Sequence, residues 1–189
     1  MIYPIVAYGD PVLKVQAKDI PQDFADLQKL VDDMYETMYN AHGVGLAAPQ
    51  IGKSIRLFVI DSAPFEEDEE KKKKAVKKAF INPKIVLEEG DEWAFEEGCL
   101  SIPGIRENVY RPERVTIQYY DENWQQYEDV FDGLVARIIQ HEYDHIEGIL
   151  FTDHLSGFKK RLLKSKLVKI TKGDVDADYR MKFPTTGRR

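Results

Sequence analysis

Hydrophobic residues at helical spacing predict three helices in this chain. Apolar side chains recur every three or four positions over about residues 22–41, which places them on one face of a helix. A second helix is predicted over residues 133–146, where Gly148 is well placed to end it. A third is predicted over about residues 153–170, with a basic face opposite an apolar stripe. The residues of that stripe are Leu155, Phe158, Leu162 and Leu163.

Short apolar and alternating runs predict the strands. Residues 55–61, 81–89 and 115–120 have such runs, and residues 127–131 return after a polar turn as the second half of a hairpin. The glycine-rich stretch 43–50 is predicted to be a turn. Strands and helices do not alternate regularly, so we expect an α+β fold. Antiparallel or mixed sheets should surround the second predicted helix, with helices also near both ends of the chain.

Composition limits the kinds of protein that fit. The 189 residues suit one domain spanning 1–189, with an irregular tail over 173–189 and a charged surface insertion at 66–78. The net charge of −6 argues against a general nucleic-acid binder. We expect no membrane span and no secretory signal. The single cysteine, Cys99, excludes an internal disulfide and favours a reducing compartment, for which we expect the cytoplasm.

Residues 141–145 have the sequence HEYDH, a pattern typical of metal-dependent hydrolases. His141 and His145 are four positions apart, so on a helix both imidazoles lie on one face and can bind one metal ion. Glu142 can lean towards a water on that metal and act as a general base. A catalytic metal usually has three protein ligands, so one more ligand is needed.

The third ligand is missing from the positions that metalloproteases use. One protease pattern requires a histidine where this chain has Phe151, and another requires a downstream glutamate, yet no glutamate follows Glu147. Upstream, Cys99 is a better candidate, because a thiolate binds zinc or ferrous iron strongly. The neighbouring Gly98 would let the backbone approach the metal closely. A lone cysteine is more often a small buried apolar residue, so a metalloprotease and a non-catalytic metal-stabilised binding module remain alternatives.

Three motifs in order resemble the signature of the peptide deformylase family. They are residues 43–50 (GVGLAAPQ), 97–101 (EGCLS) and 140–145 (QHEYDH). The resemblance extends from residue 1 to about residue 155, and the helix predicted after it is similar to that of bacterial members with a helical tail. It implies a hydrolase that removes the formyl group from the N-terminal formyl-methionine of newly synthesised polypeptides and releases formate.

The resemblance also implies the catalytic groups. The implied metal ligands are Cys99, His141 and His145. Glu142 would take the proton of the attacking water. The Gln50 side-chain amide and the Leu100 backbone N–H would donate to the developing oxyanion. The implied ion is one Fe(2+) per chain, with Zn(2+), Ni(2+) or Co(2+) as substitutes in preparations.

The substrate contacts implied by the resemblance include two motif glycines and an apolar pocket. These residues are Val44, Gly45, Gly98, Leu134 and Ile138. Arg137 departs from the apolar residue that some relatives have there, and we expect it to face outward. Arg106 has two open interpretations, a contact to substrate or a structural ion pair.

The expected partners follow from the same resemblance. They are nascent peptides that begin with formyl-methionine, with no membrane and no specific DNA. The basic face of the last helix could contact the ribosome through RNA phosphates, although a solvated face is the simpler interpretation. We expect a monomer.

Overall fold

A five-stranded antiparallel sheet forms the centre of the fold in the computed structural model, which describes residues 1–65 and 75–184. Its strands are β2 Gly45–Ala47, β3 Leu57–Asp61, β4 Lys77–Cys99, β5 Ile102–Tyr120 and β6 Gln126–Asp132. Each pairs with its neighbour in sequence, in the spatial order β2–β3–β4–β5–β6. A separate parallel pair is formed by β1 Ile5–Val6 and β7 Met181–Lys182. The predicted α+β class is confirmed.

Strands β4 and β5 form a hairpin much longer than the sequence pattern predicted. The predicted strands at 81–89 and 115–120 are only its outer part, because pairing continues to Cys99 opposite Ile102. The apolar pattern stops at residues 88–92, which are four acidic residues and one glycine, all exposed, so it predicted no strand beyond residue 89. The inner end of this hairpin carries the 97–101 motif into the interior.

Residues 43–50 are a strand and a short helix rather than the glycine-rich turn that was predicted. Strand β2 pairs with β3, which places Leu46 opposite Val59, and all three residues of β2 are buried. A single 3₁₀ turn, Ala48–Ile51, follows directly. Glycine and alanine have low strand propensity, so burial against β3 and not local preference makes this strand.

The described residues also contain three α-helices. They are α1 Leu27–Asn40, α2 Gly133–Ile146 and α3 Gly157–Thr171. The predicted start of the first helix at residue 22 was wrong, because Asp26 has φ +56 and a left-handed residue cannot continue an α-helix. Helix α2 has the predicted bounds, and Gly148 beyond it has φ +74. A Cβ there would lie 2.8 Å from the Lys14 backbone, so only glycine fits.

Helix α2 is the central helix and lies against the sheet. Its apolar residues Ala136 and Ile139 share one core with Phe58 and Phe80 of the sheet. The polar residues of the HEYDH motif extend from the same helix towards the inner end of β4. The predicted arrangement, with a sheet packed around the helix that carries the motif, is confirmed.

The apolar stripe predicted for the last helix was partly wrong. Phe158 and Leu162 are 63% and 62% exposed, whereas Leu163, Leu167 and Ile170 are buried in a core with residues of β1 and β5. Both sets satisfy helical spacing, so only the position of the neighbouring core decides between them. The helix also begins later than residue 153, since the Ser156 hydroxyl accepts from the Lys159 N–H and caps it.

The tail predicted to be irregular has no helix among its described residues 173–184, and its regular structure there is limited to the two-residue strand β7. After α3 it runs back to the N-terminal strand, where β7 pairs with β1. This contact joins residues about 175 positions apart in the sequence, and no local pattern predicts such a pairing. Residues 185–189 lie outside the described residues. So does most of the charged insertion at 66–78, of which Lys77 and Lys78 begin β4.

Exchange of one leucine for alanine on each side of α3 tests which face is buried. Leu163→Ala removes a buried side chain and should lower the free energy of unfolding by about 2–5 kcal/mol. Leu162→Ala, on the exposed side, should change it by less than about 0.5 kcal/mol. Urea unfolding followed by circular dichroism measures both. Equal losses in the two variants would contradict the observed helix orientation.

Candidate metal centre

Three side chains converge where α2 meets the inner end of β4. They are Cys99, His141 and His145, and one potential ligand atom from each lies within 4.8 Å of the others. The Cys99 Sγ lies 3.3 Å from His145 Nε2. The two histidines are on one face of α2, as their spacing predicted, and the long hairpin supplies the cysteine.

The donor set fits a divalent metal of intermediate softness. One thiolate and two imidazoles are ligands that zinc and ferrous iron both accept. Burial lowers the pKa of His145 well below its ordinary value, so this ring is neutral and has a lone pair to offer. Burial also opposes charge on His141, yet its contacts with Cys99 and Glu97 raise its pKa well above the ordinary value. The cluster thus favours a positive charge beside the thiol.

The Glu97 carboxylate orients His141. Its Oε2 lies 2.9 Å from His141 Nδ1, and an ionised carboxylate can only accept, so Nδ1 carries the hydrogen and Nε2 is left for the metal. Arg111 donates to both oxygens of Glu97 at 2.7 and 3.0 Å. Burial opposes the charge of Glu97, but the bonds from His141 and Arg111 hold its pKa well below the usual range.

Arg137 faces inward, so the prediction that it faces outward was wrong. It is 3% exposed, and its guanidinium lies 3.0 Å from Glu97. It also donates to the backbone carbonyls of Trp93 and Val109 at 2.6 and 3.0 Å. The charged guanidinium of Arg137 is therefore buried at the inner end of the hairpin and not exposed to solvent. Arg106 lines the cavity and pairs with the exposed Glu96 at 3.2 Å.

Glu142 is buried directly against Gly45 of the edge strand. A Cβ on residue 45 would lie 2.7 Å from the Glu142 carboxyl carbon, which explains glycine at this position. Its Oε2 is buried with no hydrogen-bond partner among the described residues, and it faces the cavity with His141. Burial raises the pKa of Glu142 to about 7. A carboxyl group in this state can both take and release a proton near neutral pH.

The Gln50 side chain is fixed by the end of β2. The Ala47 N–H donates to Gln50 Oε1 at 2.9 Å, so the amide nitrogen must face the other way. That nitrogen lies 3.5 Å from Cys99 Sγ and 3.3 Å from Ser101 Oγ. Gln50 is 1% exposed, so its amide group is a buried donor aimed at the metal cluster.

A cavity of about 690 Å³ opens onto this cluster. Its lining includes four of the five residues implied for substrate contact, which are Val44, Gly45, Gly98 and Ile138. Leu134 is half-buried one turn before Ile138 and is not among the described lining residues. The lining also includes residues 176–179, which the sequence did not single out. They follow the last helix, where no motif signals a functional role.

Comparison with known proteins gives one consistent family. The family model described as polypeptide deformylase matches residues 2–161. A peptide deformylase of Christiangramia forsetii is 59% identical, covering 97% of each chain, and one of Cytophaga hutchinsonii is 61% identical, covering 97% of this chain and 98% of the relative. The crystal structure of a peptide deformylase from Legionella pneumophila has a TM-score of 0.80 at 41% identity, covering 92% of this chain and 98% of that one.

Glu97→Gln tests the buried ion network. It keeps the shape but removes the charge that Arg111, Arg137 and His141 share, so we expect a loss of about 3–5 kcal/mol in unfolding free energy. Metal affinity should fall about 10–100-fold, because His141 loses its orienting partner. Chemical denaturation and competition with a metal chelator measure the two effects. The matched control Glu96→Gln, on an exposed pair, should cost at most about 1 kcal/mol. A similar result for both variants would contradict the assigned role of Glu97.

Proposed function

The chain belongs to the polypeptide deformylase family, and we propose that Cys99, His141 and His145 hold its catalytic metal. Its activity is hydrolysis of the formyl group from the N-terminal formyl-methionine of new polypeptides, with formate released. The observation that carries the assignment of residues is the convergence of these three ligand atoms beside a buried glutamate. The metalloprotease and the non-catalytic module are disfavoured by the family match over nearly the whole chain.

The proposed chemistry assigns proton transfer to Glu142. When bound, the divalent ion supplies positive charge that acidifies water and offsets negative charge on the formyl oxygen. Glu142 takes the proton of the attacking water and later gives it to the leaving amine. Its position beside His141 and its pKa of about 7 support both steps.

Two donors are proposed to stabilise the oxyanion. The Gln50 amide nitrogen is the first, and its fixed orientation opposite the Ala47 N–H supports this role. The Leu100 backbone N–H is the second, and its position next to Cys99 on the cavity wall supports it. Donors held in place before the reaction stabilise the transition state without a cost of reorganisation.

The same cavity accounts for the choice of a formyl group. A formyl carbon carries only hydrogen where an internal amide carries a chain, so a narrow site beside Gly45 can admit the first and exclude the second. We propose that Val44 and Ile138 contact the methionine side chain, because they are apolar and line the cavity. Gly98 also lines the cavity, where its backbone can contact the substrate. Leu134 would support this pocket from one turn away.

The ion, the compartment and the assembly are further parts of the proposal. We assign Fe(2+) as the cellular ion, with Zn(2+), Ni(2+) or Co(2+) as substitutes, since all four accept thiolate and imidazole ligands. A cytoplasmic location suits the free thiol of Cys99, which an oxidising compartment would attack. A monomer suffices, because all the proposed catalytic groups come from one chain.

A contact with the ribosome is proposed for the exposed side of α3. Arg161 and Lys164 are exposed there, next to the exposed apolar Phe158 and Leu162. Cations and apolar groups together suit a surface of RNA and protein.

No helix among the described residues has the length and apolar character required to cross a membrane.

Formate release from a formyl-Met peptide tests the catalytic assignment. Glu142→Ala should retain the metal and lose about 10²–10⁴-fold in kcat, because the proton acceptor is gone. Cys99→Ala should lose the metal itself. Anaerobic assays with metal content measured on the same sample separate the two effects. The control Glu92→Ala, at an exposed position of β4, should be as active as the unmodified chain. Full activity of Glu142→Ala would exclude it as the base.

Charge reversal on α3 tests the ribosome contact. Arg161→Glu with Lys164→Glu should weaken co-sedimentation with ribosomes and reduce its salt dependence, because two phosphate contacts would be lost. The control carries the same change of charge at exposed Lys18 and Lys84, away from α3. Truncation of the helix would be less informative, because α3 buries three core residues. Equal binding by both double variants would end the ribosome proposal.

A further inference from the structure

The segment 176–179 forms part of the wall of the substrate cavity. It follows α3, whereas the family model matches only residues 2–161. The segment is held in place by the pairing of β7 with β1, in which the Ile5 N–H donates to the Arg180 carbonyl at 2.8 Å. The C-terminal end of the described chain therefore reaches the site without belonging to any of the motifs that identify it.

Tyr179 makes a direct contact with the turn that carries the proposed oxyanion donor. Its hydroxyl donates to the Leu100 backbone carbonyl at 2.8 Å, a normal hydrogen-bond length. Its ring is half-buried and packs against the core that also contains Leu46 and Met38. Burial raises the pKa of Tyr179 well above its ordinary value, so the hydroxyl keeps its proton and remains a donor.

The turn at residues 99–102 needs such contacts, because its own pairing is limited. Cys99 pairs with Ile102, and the register of the hairpin shifts between Gly98 and Cys99. A second contact comes from Tyr8, two residues after β1, whose N–H donates to the Ser101 carbonyl at 2.8 Å. Residues that flank the parallel pair of β1 and β7 thus donate hydrogen bonds to two successive carbonyls of this turn.

We propose that Tyr179 is a positioning residue, which holds the Leu100 backbone in the orientation that its N–H requires to stabilise the oxyanion. This inference rests on the proposed role of Leu100. A bond to the Leu100 carbonyl restricts rotation about the Leu100 Cα–C bond and so limits the motion of the whole turn. The stabilisation is realised in the transition state and not in the bound substrate. Loss of the bond should therefore lower kcat and leave KM unchanged.

Tyr179→Phe removes the hydroxyl and keeps the ring. We expect about a 5-fold decrease in kcat for a formyl-Met peptide, the size of one neutral hydrogen bond, with KM and metal content unchanged and Tm lowered by about 2–4 °C. The control Tyr110→Phe removes a hydroxyl from a side chain that is 65% exposed, and it should change none of these values. An increase in KM at constant kcat would make Tyr179 a substrate contact and overturn the proposal. So would an unchanged kcat, or a decrease explained by lost metal.

A second measurement does not depend on turnover. Amide hydrogen exchange across residues 99–102, in the metal-loaded protein, should be about 5-fold faster in Tyr179→Phe than in the unmodified chain and in Tyr110→Phe. Unchanged exchange would refute the positioning role even in an active enzyme. Suppose that the unmodified chain released no formate, but amide exchange at residues 99–102 were still faster in Tyr179→Phe. The role of Tyr179 in holding the turn would then stand, and the proposed function would fail. The two failures are thus distinguishable.

Discussion

The buried carboxylate of Glu97 is the group on which the arrangement of the site depends. It is 4% exposed and lies on β4, two residues before Cys99. A carboxylate at this depth is tolerated only if cations surround it, and it is neutralised by Arg111 of β5 and Arg137 of α2. Any shift of one element against another would leave a buried charge unpaired. The network therefore fixes the relative position of the elements that supply the proposed metal ligands.

The charges of this network balance without the metal cluster. Two carboxylates, Glu97 and Asp144, face the two guanidinium groups of Arg111 and Arg137, and Arg111 bridges the carboxylates at 2.7 and 2.8 Å. Glu97 and Asp144 thus each have a guanidinium partner besides the histidines, and His141 can remain neutral when a cation binds its free nitrogen. The ion pairs that hold the elements together are therefore distinct from the groups proposed to bind the metal, although the two sets are in contact.

Close packing of β2 against α2 positions Glu142 and Gln50, the other half of the site. Gly45 leaves room for the Glu142 carboxyl group, and the next residues of the same edge strand orient Gln50 through the Ala47 N–H. A strand of three residues thus positions both the proposed proton acceptor and a proposed oxyanion donor. Since β2 is short and poor in strand-forming residues, its own pairing with β3 must supply that rigidity.

The sequence predicted the parts of the site that depend on local spacing. The shared face of His141 and His145 follows from helical spacing, and Gly148 marks the end of α2. The length of the β4–β5 hairpin did not follow, because the apolar pattern stops at the exposed polar run 88–92. The inward Arg137 also could not be predicted, since only its distant partner Glu97 makes its burial favourable.

Long-range contacts account for what the sequence could not predict about the last quarter of the chain. Two sets of apolar residues on α3 have equal periodicity, and the one that is buried is selected by the core around β1 and β5. The tail beyond it is joined to the other end of the sequence by the pairing of β7 with β1. That pairing matters most at the 99–102 turn, where the proposed donor lies on a short connection rather than within a helix or strand. The proposed metal ligands are held by the regular structure of α2 and β4, whereas the 99–102 turn also receives hydrogen bonds from other parts of the chain. Tyr8 and Tyr179 supply them.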